Sequence, residues 1–185
     1  MSVNPLKSCW LMKSEPSDCS VDTAIASKRA TVPWVGVRNY QARNFMRDVM
    51  RVDDGVLFYH SSCAEPGIVG IARVASKPYP DPTQFDAQSP YFDAKSTRAT
   101  PRWTLVDVQV IRKTRTLGLP ELRATPALAE LLVLKKGNRL SITPVTPAHW
   151  QVISALLSTK QSEENAIDIR AARARFNWAT GKNRH

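Results

Sequence analysis

Thirteen prolines punctuate the 185-residue chain, and five of them (Pro78, Pro80, Pro82, Pro90 and Pro101) crowd into residues 76–101. Proline donates no backbone hydrogen bond and interrupts helix interiors and central strands alike. A chain broken this often favours a loop-rich fold of short elements over a helical bundle. The apolar runs between the breaks are short accordingly. LKSCWLMK (6–13) reads as a buried strand that stops at Pro16. VLFYH (56–60) and IVGIARV (68–74) read as two more, joined through Glu65-Pro66-Gly67, and RLSIT (139–143) as another. WTLVDVQVI (103–111) is the clearest strand, with Val and Leu alternating against Asp and Gln over part of its length.

Helical segments are few. Ser20 is an N-cap residue for a helix over about 21–28. Residues 40–51 place Ala42, Phe45, Met46 and Val49 on one apolar face and Arg43, Arg47 and Arg51 on another. A third segment lies around 120–132, and Thr146-Pro147 opens a last helix with Trp150, Ile153 and Leu157 on one side. Residues 76–101 show no periodicity, and irregular chain of that length inside a compact domain is usually functional or mobile. The expected fold is α+β: a small barrel-like sheet of mixed strands with helices around it. It forms a single domain over residues 1–157, followed by a basic C-terminal extension at 158–185.

The chain carries 26 Lys and Arg against 16 Asp and Glu, a formal net charge of +10. The extension holds six of those cations against three acids, so most of the excess lies in the domain. Such an excess suits a polyanionic partner, because lysine and arginine displacing counterions from phosphates gain free energy at moderate salt. Cys9, Cys19 and Cys63 are odd in number and widely spaced, which forms no disulfide framework and no CxxC start of a zinc site. No phosphate loop or GxGxxG is present, so neither a metal nor a cofactor is expected. Of three further expectations, the last two rest on the absence of a signal peptide and of a bilayer-length apolar run. The protein is a monomer, it has no membrane partner, and it is cytoplasmic (nucleoid-associated in a bacterium, nuclear in a eukaryote).

Three segments concentrate aromatic and polar side chains beside strand ends: Trp10 to Glu15, Trp34 to Tyr40, and Tyr59 to Ser62. A flat ring stacks on any nucleobase for roughly 1–3 kcal/mol. Lys13, Ser14, Glu15, Arg38, Asn39, His60 and Ser61 then offer groups for a base's polar edge, with Asn presenting an acceptor and a donor together. Arg43, Arg47 and Arg51 would hold the phosphate backbone. Each residue has a plainer reading. A tryptophan beside a strand is commonly core. Lys13 and Glu15, two apart, can pair at the surface, His60 can be a satisfied structural histidine, and the arginine stripe can be a solvated face. His60 and Ser61 point to opposite sides of a strand and make a poor nucleophile–base pair, so no catalytic residue is assigned.

The motifs WLMKSEP (10–16), WVGVRNYQARNFMRD (34–48), FYHSSCAEPGIVGIARV (58–74), YPDPTQF (79–85), PRWTLVDVQ (101–109) and RLSITPVT (139–146) together resemble the EVE domain, over about residues 6–157. The resemblance implies a PUA-like pseudo-barrel of mixed strands with surrounding helices, as in the YTH and ASCH domains. It also implies a pocket for a flipped, often modified, base such as 5-methyl- or 5-hydroxymethylcytosine, in DNA or RNA. Carried onto this chain, the pocket candidates are Trp10, Lys13, Ser14, Glu15, Trp34, Arg38, Asn39, Tyr40, His60 and Ser61. The expected function is a non-enzymatic nucleic-acid reader. Kinship with ASCH domains motivates an alternative, a small amidohydrolase acting on acylated nucleosides. There Lys13 would be nucleophile or base and Glu15 acid/base, which requires a depressed Lys13 pKa.

Overall fold

The computed structural model describes residues 8–158. Its strands are β1 (Cys9–Ser14), β2 (Thr31–Pro33), β3 (Gly55–His60), β4 (Gly67–Val74), β5 (Tyr79–Pro80), β6 (Thr104–Leu105), β7 (Asp107–Gly118) and β8 (Ile142–Val145). Its helices are α1 (Val21–Ala26), α2 (Tyr40–Asn44), α3 (Leu119–Ala124) and α4 (residues 147–158). Six strands make one mixed sheet in the order β2-β7-β4-β3-β1-β8, and β5 pairs with β6 separately. Among the described residues, only β1 and β3 run parallel within it. The α+β expectation of mixed strands with surrounding helices holds. The predicted extension lies, beyond Ser158, outside the described residues.

Both faces of this sheet are covered, which explains why its central strands read as unbroken apolar runs. Successive side chains of a strand point to opposite faces. Trp10, Met12, Val56 and Phe58 therefore pack with Val21, Ala24, Ala42 and Met46 from the first two helices. Leu11, Leu57 and Tyr59 pack with Leu122, Leu128, Ile153 and Leu157 on the other side.

Several element boundaries depart from expectation for identifiable reasons. β7 continues past Ile111 to Gly118, its ladder with β4 sustained although Ile111, Arg112 and Lys113 face solvent. The helix expected over 120–132 stops at Ala124, since Pro126 steers Thr125 away from helical geometry. Short 3-10 turns at Pro126–Leu128 and Leu132–Leu134 follow. The last strand sits at Ile142–Val145 rather than 139–143. Beyond α2 the chain widens into a π-helical turn over Phe45–Val49 and leaves the helix at Met50. Arg51 thus falls outside the helix, and the three arginines form no single stripe. Ser20 does cap α1, accepting from the Thr23 amide.

The proline-rich stretch is held by buried polar groups. Asp81 caps a 3-10 turn over Pro82–Phe85. The fully buried Gln84 donates to the Asp81 and Trp103 carbonyls and accepts from the Arg102 and Trp103 amides. A buried amide with all its partners satisfied fixes a loop as firmly as a sheet ladder does.

Candidate nucleic-acid interface

Because β1 and β3 are parallel neighbours, their C-terminal ends open on the same side of the sheet, Ser14 beside His60. The Ser61 amide donates to the Ser14 carbonyl (3.0 Å) and the Lys13 amide to the Ser141 carbonyl (2.8 Å). These bonds draw the chain after β3 and the chain before β8 to one place. The end of β2 and the loop after it bring in Pro33 to Arg38, and a cleft of about 400 Å³ lies between these segments. Among the pocket candidates, Lys13, Ser14, Glu15, Trp34, Arg38 and Ser61 line it.

Their environments differ. Lys13 is half-buried, and no carboxylate among the described residues pairs with its ammonium. Burial pulls its pKa below the usual lysine value. The surface pair with Glu15 is not formed. Ser14 spends its hydroxyl on the Cys19 carbonyl, 2.8 Å away. Trp34 is 5% exposed and meets Phe58 edge-on at 5.1 Å, so most of its ring belongs to the core. Arg38 is a brace: it donates to Asp81 (2.8 Å), to the Thr83 hydroxyl (2.9 Å) and, through Nε, to the Tyr91 carbonyl (2.9 Å).

The other four candidates fall elsewhere. Trp10 is core: its ring tilts against Phe45, and its Nε1 donates to the buried Asp54 carboxylate at 3.0 Å. Asn39 caps α2, accepting from the Ala42 amide. Tyr40 stacks on Trp103 at 5.0 Å on the outer surface, beneath the Arg43 guanidinium. His60 accepts the Val21 amide on Nε2 at 3.0 Å, tying the start of α1 to the end of β3. The arginines are engaged locally as well. Arg47 chelates Asp48, Arg51 donates to the Asp48 and Met50 carbonyls, and Arg43 to the Arg102 carbonyl.

Reading the sequence missed Tyr91, Arg139 and Ser141, which also line the cleft. Tyr91 lies flat against Gly36, and its hydroxyl donates to Asp18 at 2.7 Å. That bond, helped by burial, pushes the Tyr91 pKa up to about 12. The only signal for it was its place in the long aperiodic stretch.

Two of these assignments can be checked by stability. Asp54 also accepts the Arg51 amide at 2.9 Å. Asp54→Ala strands the buried Trp10 indole N–H, so urea unfolding should show a loss of about 1–3 kcal/mol. The neutral His60 ring is required to accept from Val21, and burial lowers its pKa. The unfolded chain therefore takes up the proton first as pH falls. The contribution is complete above about pH 6.5 and is lost as pH drops toward the lower folded value. Thermal melting should show this decline in the parent and not in His60→Gln, whose amide oxygen still accepts.

The EVE domain profile matches residues 8–156. Mouse thymocyte nuclear protein 1 is 38% identical over 174 residues, 85% of this chain and 76% of its own length. A crystal structure of a Pseudomonas putida protein is 49% identical with a TM-score of 0.76, covering 80% of this chain and 98% of that one. Human THYN1, crystallised in complex with 5-methylcytosine containing DNA, is 38% identical with a TM-score of 0.76, over 83% and 99% of the two chains. With the profile matching residues 8–156 and a relative 38% identical over 85% of this sequence, the chain belongs to the EVE domain family.

Proposed function

We propose that this protein is a non-enzymatic DNA reader that holds one flipped, modified base in the cleft at the ends of β1 and β3. The observation that carries this reading is the cleft itself: at about 400 Å³ it falls within the roughly 300–1,000 Å³ typical of small-ligand sites. Its wall combines aromatic surface with a lysine that no carboxylate among the described residues pairs. The human relative's co-crystallisation with methylated DNA supports the same reading.

Taking a base out of its stack costs a few kcal/mol, least where pairing is weak. Contact with Trp34 and Tyr91 offsets part of that. Burying an added methyl contributes only about 0.8 kcal/mol, roughly a fourfold preference. Sharp selection therefore falls to the polar groups, because an unmatched hydrogen bond costs more than a missing methyl. Lys13 and Arg139 can donate to a base's acceptors, Ser61 can do either, and the Glu15 carboxylate can take an exocyclic amine. The site of action is then the nucleoid or nucleus, where such DNA lies.

Matched oligonucleotides, with and without 5-methyl- or 5-hydroxymethylcytosine, titrated across a salt series, test the reading. A preference of at least fourfold that persists as salt rises supports it; equal affinity for every base at every salt rejects it. RNA versions of the same oligonucleotides distinguish the two nucleic acids. One observation, the half-burial of Lys13 with no carboxylate among the described residues paired to it, favours the amidohydrolase as a second reading. Release of free cytidine from acylated cytidine, abolished by Lys13→Ala, would establish that instead.

A further inference from the structure

We propose that a second groove, along the sheet edge at β2, holds the phosphates of the strand whose base enters the cleft; the inference rests on the reader function. The groove, about 560 Å³, is lined by Lys28, Arg29, Thr31, Arg73, Ala75, Asp107 and Gln109. Lys28 and Arg29 are exposed, and no ion pair among the described residues engages either. Arg73 is oriented by Gln109 (2.8 Å) and Asp53 (2.6 Å). The groove's one carboxylate, Asp107, accepts the Tyr79 hydroxyl at 2.7 Å. With Arg73 already paired to Asp53, Lys28 and Arg29 against that single lining acid leave the groove positive.

The groove and the cleft share β2. Thr31 lines the groove and Pro33 the cleft, two residues apart. At about 3.3 Å per residue that separation is roughly 7 Å, or about two steps of a stacked strand at 3.4 Å each. A strand with one base in the cleft thus lays its phosphates along Lys28 and Arg29. The arginines first expected to carry this role are less suited to it, since Arg47 is neutralised by Asp48 and Arg51 is turned onto carbonyls.

The test is fluorescence anisotropy of a single-stranded oligonucleotide carrying one modified cytosine, over a salt series. Each phosphate contact contributes roughly 0.7–0.9 to the slope of log affinity against log salt. Lys28→Gln with Arg29→Gln should lower that slope by about 1.5 and weaken modified and unmodified DNA equally. Arg47→Gln with Arg51→Gln should leave it unchanged. Neutral methylphosphonates placed about two nucleotides from the modified base should reproduce the loss on the unaltered protein, where folding is not in question. They should add little in the double variant. An unchanged slope in Lys28→Gln/Arg29→Gln, or methylphosphonate effects that persist there in full, overturns the proposal. Loss of base preference in the parent protein would overturn the reader function instead, and the slopes would still say where the phosphates lie.

Discussion

Asp81→Ala is expected to lower the unfolding free energy by about 3–5 kcal/mol, the range for removing one partner of a buried ion pair. Asp81 is 1% exposed and accepts four hydrogen bonds. One oxygen takes the Gly36 amide (2.9 Å) and Arg38 (2.8 Å), the other the Thr83 amide (2.9 Å) and hydroxyl (2.6 Å). Burial alone would raise its pKa, but the Thr83 hydroxyl, Arg38 and the two amides outweigh it and hold the carboxyl below its usual value. A depressed carboxyl contributes stability above the unfolded value of about 3.9 and loses it as pH falls through the lower folded value. Truncation removes the acceptor at every pH and strands the half-buried Arg38 guanidinium. Urea unfolding at neutral pH measures the loss. A cost under about 1 kcal/mol, the size of an exposed pair, would show that the loop is not braced through this carboxylate.

That brace marks the boundary of what the amino-acid order reveals. The strands around Leu11, Leu57 and Ile68 were legible because an apolar run flanked by turn residues has few other uses. The helix cap at Ser20 was equally local, whereas Asn39 was expected only as a base reader and is found capping α2. Which tryptophan reaches the cleft was not legible, since Trp10 and Trp34 have the same chemistry and differ only in what folds over them. Tyr91 meets Arg38 and Asp18 across 53 and 73 residues of chain, and no spacing rule spans such distances. The end of β7 was hidden for a related reason: a solvent-facing edge of a strand tolerates Arg112 and Lys113, so hydropathy fades before the ladder does.

Gly36→Ala should damage both the fold and the cleft, and a second glycine separates the causes. Gly36 and Gly137 share a φ of +82°, where a side chain costs roughly 1–2 kcal/mol whatever surrounds it. At Gly137 an added Cβ meets nothing within 4 Å, so Gly137→Ala should show that backbone cost alone. At Gly36 the same Cβ would lie 2.6 Å from Tyr91 Cζ and 2.8 Å from both Cε atoms. The ring cannot retreat freely, because Asp18 holds its hydroxyl and Arg38 its carbonyl. Gly36→Ala should therefore unfold at clearly lower urea than Gly137→Ala. It should also bind modified oligonucleotide at least tenfold more weakly, a loss of about 1.4 kcal/mol that sits within the worth of one base–aromatic contact. Tyr91→Ala should cost less stability in the Gly36→Ala background than in the parent, without restoring affinity, since the clash disappears and so does the wall. If the two single alanines instead cost the same, Tyr91 is not seated on Gly36, and the cleft has lost the face that gives it the dimensions of a base.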